Sequence, residues 1–185
     1  MTQRGQWIFV LGIVGALVGG LIGGVALSGA LKPVGIDTEA PDFTAVDVFA
    51  GDTVRFERYA GDVVLLNVWA TWCTPCEAEM PSMQRLHEQL GDSGFHIVAV
   101  SIDGGSTRMV REWVEERGFT FEVLHDRSGR IERFYQTTGV PESFVIDRHG
   151  IIVKKVIGAT EWDDPTQQAL IRRLIEGDGD ARHSD

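Results

Sequence analysis

Two kinds of apolar pattern divide the chain. Residues 7–27 are 21 consecutive positions without a charge, close to the roughly 20 apolar residues that carry a helix across a bilayer. Beyond residue 41 the apolar positions fall into short runs broken by polar turns. The run 43–48 alternates, turns at Ala50-Gly51-Asp52 and returns through 53–56, which predicts a β-hairpin. Residues 63–68 are almost continuously apolar, as in a strand covered on both faces. Met83, Leu86 and Leu90 recur at helical spacing and predict a helix over 74–90, kinked at Pro81. A strand at 95–101 and a helix at 107–116, capped by Ser106, follow. Next come a short strand near 119–124, a helix near 129–137, and strands 143–147 and 151–157 around the turn Arg148-His149-Gly150. The last predicted helix covers 164–176. Strands alternating with helices and ending in a hairpin predict an α/β domain with a mixed sheet.

The expected organisation is a tail at 1–6, a transmembrane helix at 7–27, a linker at 28–41, one domain at 42–176 and a disordered tail at 177–185. Charge sharpens it. Of the net −10, residues 1–36 contribute +2 through Arg4 and Lys32, which leaves −12 for the remainder. A domain this acidic is a poor nucleic-acid binder. Arg4 precedes the span and the acidic bulk follows it, so the positive-inside rule places the short tail in the cytoplasm and the domain outside. A cleaved signal peptide ending near Ser28-Gly29-Ala30 is the alternative. Its apolar core would be shorter, about 7–15 residues, and an uncleaved anchor is the reading adopted.

Both cysteines, Cys73 and Cys76, stand two residues apart where the strand at 63–68 gives way to the helix. A thiol at a helix start has its thiolate stabilised by free N–H groups and the helix dipole, so Cys73 is the candidate attacking thiol and Cys76 the resolving one. An inert staple across so short a gap would constrain little chain, and a zinc site would need two further ligands that no second Cys pair or His-x₃₋₅-His supplies. The expected chemistry is thus a redox-active disulfide without metal or cofactor. Pro75 suits the first helical turn. Glu79 lies three residues after Cys76 on the same helix face, where burial would raise its pKa and let it exchange a proton with the resolving thiol. Trp72 is expected to lie exposed over the site and Trp69 in the core. His87, His96, His125, His149 and His183 are scattered and read as surface or core residues.

The strand, Trp72-Cys73-Thr74-Pro75-Cys76, the helix with Pro81, and Gly139-Val140-Pro141 before a later strand resemble the thioredoxin fold. The phrase from Val64 to Cys73, with Glu79, is similar to the membrane-anchored thiol-disulfide reductases of the TlpA/ResA type, over about residues 40–176. The resemblance implies a mixed central sheet flanked by helices, with an N-terminal β-hairpin extension. It implies a cis Pro141 beside the disulfide, with the backbone of Val140 free to pair with an extended substrate strand and Trp72 on the substrate-facing surface. Asn67 stands where thioredoxins carry a buried aspartate, which leaves Glu79 as the acid–base candidate. The Thr74-Pro75 dipeptide looks like that of reducing members. The implied function is an extracytoplasmic protein-disulfide reductase, in the periplasm or its equivalent, of the kind that reduces the Cys-x-x-Cys-His of apocytochrome c before haem attachment. Its electrons would come from a membrane thiol transporter of the CcdA/DsbD kind. Three alternatives stand: a disulfide-forming oxidase, a non-enzymatic thioredoxin-fold binding module, and a thiol peroxidase. The last shares the Ala40-Pro41-Asp42-Phe43 opening but needs a Thr-x-x-Cys that is absent here.

Overall fold

The computed structural model describes residues 12–13, 33–91 and 93–177. The predicted span at 7–27, apart from Gly12 and Ile13, lies outside the described residues, as does nearly all of the predicted tail. Among the described residues no helix is long and apolar enough to cross a membrane. The chain divides into a unit ending at Pro33 and a larger one from Val34, which carries the fold described here.

Seven strands form one sheet: β1 (Thr44–Asp47), β2 (Thr53–Arg55), β3 (Val63–Trp69), β4 (Phe95–Ser101), β5 (Glu122–His125), β6 (Glu142–Ile146) and β7 (Ile152–Ile157). Four α-helices accompany them among the described residues from Val34 onward: α1 (Thr74–Leu90), α2 (Thr107–Arg117), α3 (Arg130–Phe134) and α4 (Pro165–Glu176). The strand order is β2-β1-β5-β4-β3-β6-β7. The centre, β5-β4-β3, is parallel, while β1, β6 and β7 join antiparallel to their neighbours.

Every residue of β3 is buried, so both faces of the sheet must be covered. Because side chains alternate, Val63, Leu65, Asn67 and Trp69 share one face. Val63, Leu65 and Trp69 belong to a core that includes Met80, Met83, Leu86 and Leu90 of α1 with Ile171 and Leu174 of α4. Val64, Leu66 and Val68 pack into a second core with Tyr59, Ile131, Tyr135 and Phe144. Asn67 is a polar residue on the α1 face, which sets up the site described below.

The helix limits follow local chemistry. The hydroxyl of Ser106 accepts from the Met109 N–H at 3.3 Å and the Asp164 carboxylate from the Thr166 N–H at 2.8 Å, each capping a helix start. Gly118, at φ 70°, closes α2 with the left-handed residue that side chains resist. The helix α1 continues through Pro81 to Leu90.

Three segments differ from the sequence reading. β5 starts at Glu122, because Phe119 leaves the strand direction to stack on Phe121 with ring centres 5.5 Å apart. α3 is only five residues long. The Asp126 carboxylate caps its start, accepting from the Ile131 N–H at 2.8 Å, and beyond its end Gln136 turns left-handed at φ 50°. Residues 37–40, read as linker, are pinned to the start of β7: the Asp37 N–H donates to the Ile152 carbonyl at 2.8 Å and the Ile152 N–H to the Thr38 carbonyl at 2.9 Å.

Leu86 has no exposed surface and sits where α1 meets β3. Leu86→Ala is expected to remove about 2–5 kcal/mol of unfolding free energy through lost burial and the cavity left behind. Urea titration of the oxidised protein measures this, and a loss below about 1 kcal/mol would contradict the packing.

Candidate active site

β3 ends at Trp69 and α1 starts five residues later at Thr74, so the cysteines lie at the C-terminal edge of the sheet. Cys73 is the helix N-cap: its Sγ accepts from the Cys76 N–H at 3.2 Å. The two form a disulfide with their Cα atoms 5.3 Å apart. Cys73 is 5% exposed and Cys76 fully buried. Trp72 stands out at 67% exposure while Trp69 is buried.

The Val140–Pro141 peptide is cis, as the resemblance implies. Pro141 leads directly into β6, whose Glu142 pairs in register with Val68 near the end of β3. This register carries Val140 and Pro141 to the edge at which α1 begins. Glu142 is completely buried. Its Oε2 accepts from the N–H and the hydroxyl of Thr138 at 2.9 and 3.3 Å, and its Oε1 lies 2.7 Å from Lys155 Nζ. The Lys155 contact is an ion pair whose angle falls outside hydrogen-bond geometry. Glu142 thereby fastens the loop that presents Val140.

Glu79 is 2% exposed, unlike Glu77, which reaches the surface and pairs with Arg117 at 2.9 Å. Its Oε1 accepts from Asn67 Nδ2 at 2.7 Å and its Oε2 from the Thr160 N–H at 3.2 Å. The other Asn67 N–H donates to Ser143 Oγ at 2.8 Å. Burial dominates and pushes the carboxyl from 4.5 up to about 7; Asn67, the Thr160 amide and the Trp162 indole pull weakly the other way. The indole N–H favours the charged form by proximity without making a hydrogen bond of normal geometry. A cleft of about 320 Å³, lined by Ala78, Glu79, Ala159, Thr160 and Glu161, opens beside this carboxyl. A buried acid that titrates near neutrality next to a cleft can give and take protons.

A profile of the AhpC/TSA family matches residues 36–155. The chain belongs to that family. It is similar to the thiol-disulfide oxidoreductase ResA of Oceanobacillus iheyensis, at 34% identity over 87% of this chain and 86% of the relative. It is also similar to the ResA of Geobacillus thermodenitrificans, at 36% identity over 74% and 77% respectively. A Chlorobium tepidum crystal structure, assigned as a thiol:disulfide interchange protein DsbE, superposes with a TM-score of 0.66. It is 29% identical and covers 78% of this chain and 97% of its own. This AhpC/TSA member is a thiol-disulfide oxidoreductase with a thioredoxin-like α/β fold, and disulfide-containing molecules are its class of substrate.

All six residues singled out from the sequence lie in the segments that meet here: Trp72, Cys73, Cys76 and Glu79 at the start of α1, Val140 and Pro141 before β6. Sequence reasoning passed over Glu142 and Asp103, the latter 2% exposed at the end of β4. For Asp103 the available signal was positional, since residues just past the carboxyl ends of parallel strands line functional crevices. Among the described residues no group of three or more His, Cys, Asp or Glu is placed to hold a metal.

The Glu79 shift has a stability consequence whose sign is fixed. Its folded pKa of about 7 lies above the ordinary 4.5, so the folded state holds the proton more tightly. That stabilisation is complete below about pH 4.5 and is lost as pH rises through about 7. Between about pH 4 and 8 the oxidised wild type should therefore lose about 3 kcal/mol more than Glu79→Gln. Urea unfolding across that range checks it; parallel profiles for the two proteins would mean that Glu79 does not titrate with folding.

Proposed function

We propose that the chain is an extracytoplasmic protein-disulfide reductase, anchored by residues 7–27, that reduces a protein disulfide of the apocytochrome c Cys-x-x-Cys-His kind. The observation that carries the reading is the pairing of a Cys73 thiol at a helix N-cap with a resolving Cys76 one turn inside, three positions before a carboxyl poised near pH 7.

In the reduced protein the Cys73 thiolate attacks one sulfur of the substrate disulfide and expels the other as a thiolate. Cys76 then attacks the Cys73 sulfur of the mixed disulfide, its proton passing to the Glu79 carboxylate. The Cys73–Cys76 disulfide forms, the second substrate thiol leaves, and Glu79 returns the proton. Two electrons have moved to the substrate. Trp72 and the backbone at Val140 would receive the substrate segment as an added strand.

The reducing direction is supported by Thr74-Pro75 between the cysteines, and the location by the uncharged run behind Arg4. A membrane thiol transporter of the CcdA/DsbD kind would regenerate the dithiol. The peroxidase alternative lacks its motif, since Ala70 occupies the position three before Cys73.

A reductase should show a midpoint potential below about −200 mV, against about −120 mV for a strong oxidase. Equilibration with glutathione and dithiothreitol buffers measures it, and a value near the oxidase end would reverse the direction.

Roles within the pair are separable. Brief iodoacetamide treatment of the reduced protein should label Cys73 first, and Cys76→Ser should accumulate a mixed disulfide with its substrate. Equal or reversed labelling at neutral pH would exchange the assignments. Glu79→Gln should slow disulfide exchange by about 10²-fold, the lower end of what general acid–base assistance contributes, and alter its pH dependence.

A further inference from the structure

In the segment Ala70-Thr71-Trp72 that leads to Cys73, Ala70 packs into the core but the next two residues do not. Trp72 projects into solvent, and Thr71 is only partly covered. A buried carboxylate holds it instead. Asp103 Oδ2 accepts from the Thr71 N–H at 2.9 Å and its Oδ1 from the Thr71 hydroxyl at 2.7 Å. The Ser101 hydroxyl also donates to Oδ2 at 2.7 Å, and the Asp103 N–H returns to Ser101 Oγ at 3.2 Å. Behind it, His125 Nε2 donates to the Asp103 carbonyl at 2.8 Å, while the other ring nitrogen meets the Thr107 hydroxyl at 3.0 Å. Asp103 is thus fixed by β4, β5 and the first residue of α2.

We propose that Asp103 is a positioning residue for the attacking thiol, acting through its two-point grip on Thr71. This inference rests on reading Cys73 as the attacker. A carboxylate this buried would destabilise the fold if unpaired, and its three charge-assisted hydrogen bonds offset that cost. Two of the three go to one residue, Thr71, two positions before the reacting sulfur. Thiol–disulfide exchange needs three sulfurs nearly in line, and a displacement of about 1 Å can cost up to 10²-fold in rate. Cys76 lies inside α1 and Cys73 is its N-cap, joined to the helix on one side and to the clamped segment on the other, so the alignment of the ring-closing step depends in part on where that segment puts Cys73.

The test uses the reduced protein mixed with an aromatic disulfide that releases a coloured thiolate at each step. Attack by Cys73 releases the first, in a phase that depends on reagent concentration. Ring closure by Cys76 releases the second, in a phase that does not. Asp103→Asn and Thr71→Val are expected to slow ring closure about tenfold, and the double variant no further than the slower single one, because both break one interaction. Thr71→Ser, which keeps the hydroxyl, should close within about twofold of wild type. Loss of fold stability alone would lower the melting temperature and leave this first-order rate in place. Folded Asp103→Asn that closes at the wild-type rate overturns the proposal; if that variant does not fold, a wild-type rate in Thr71→Val does so. Iodoacetamide labelling of wild-type Cys76 ahead of Cys73 would instead remove the reading beneath it.

Discussion

β3 has no solvent-facing residue, and the redox centre depends on that constraint. A strand covered on both faces has to lie inside the sheet, with β4 parallel on one side and β6 antiparallel on the other. The parallel neighbour ends at the same edge as β3, and the antiparallel neighbour begins there. Three segments far apart in sequence therefore converge on one edge: the residues before α1, the residues after β4, and the cis Val140–Pro141 step before β6. The same coverage forces α1 to bury Met80, Met83, Leu86 and Leu90, which fixes the position of Cys76 one turn into that helix.

Burial also decides what the acids at this edge do. Each is removed from water and needs compensation, since an unpaired buried charge costs several kcal/mol. Asp103 obtains three hydrogen bonds, two from Thr71 on the segment before α1 and one from Ser101. Glu142 obtains Thr138 and a lysine at 2.7 Å. Glu79 receives two hydrogen bonds from neutral donors, Asn67 and the Thr160 amide, and, among the described residues, no cation. Its charged form remains under-compensated, and its pKa climbs to about 7. The first two acids suit holding backbone in place, and the third suits moving a proton.

The elements defined by dense apolar pattern were legible. The limits of α1 and β4 fall where periodicity puts them, and the caps at Ser106 and Asp164 are ordinary signals. The helix face of Glu79 was legible from spacing, and its burial follows from Asn67, an amide on the α1-facing side of an otherwise apolar strand. Phe119 and residues 135–137 were misassigned because aromatic stacking and the left-handed turn at Gln136 override local propensity. Asp103 and Glu142 were overlooked for a different reason. An acid in a loop or at the first position of a strand reads as solvated until the tertiary structure brings Thr71, or Thr138 and Lys155, against it.

Glu79 on the buried face of α1 is a local inconsistency in an otherwise consistent sequence, and such conflicts concentrate at functional positions. Methionine or leucine there would pack against β3 without a desolvated carboxyl, but would leave one N–H of the buried Asn67 amide without its acceptor. Asn67 and Glu79 are thus coupled: the amide gives the acid one hydrogen bond and no charge, enough to place it and too little to keep it ionised at low pH. An aspartate at 67 would set two carboxylates against each other and drive one pKa higher still. The neutral amide leaves a single titrating group beside the resolving cysteine, tuned by burial to the pH range in which thiol–disulfide exchange runs.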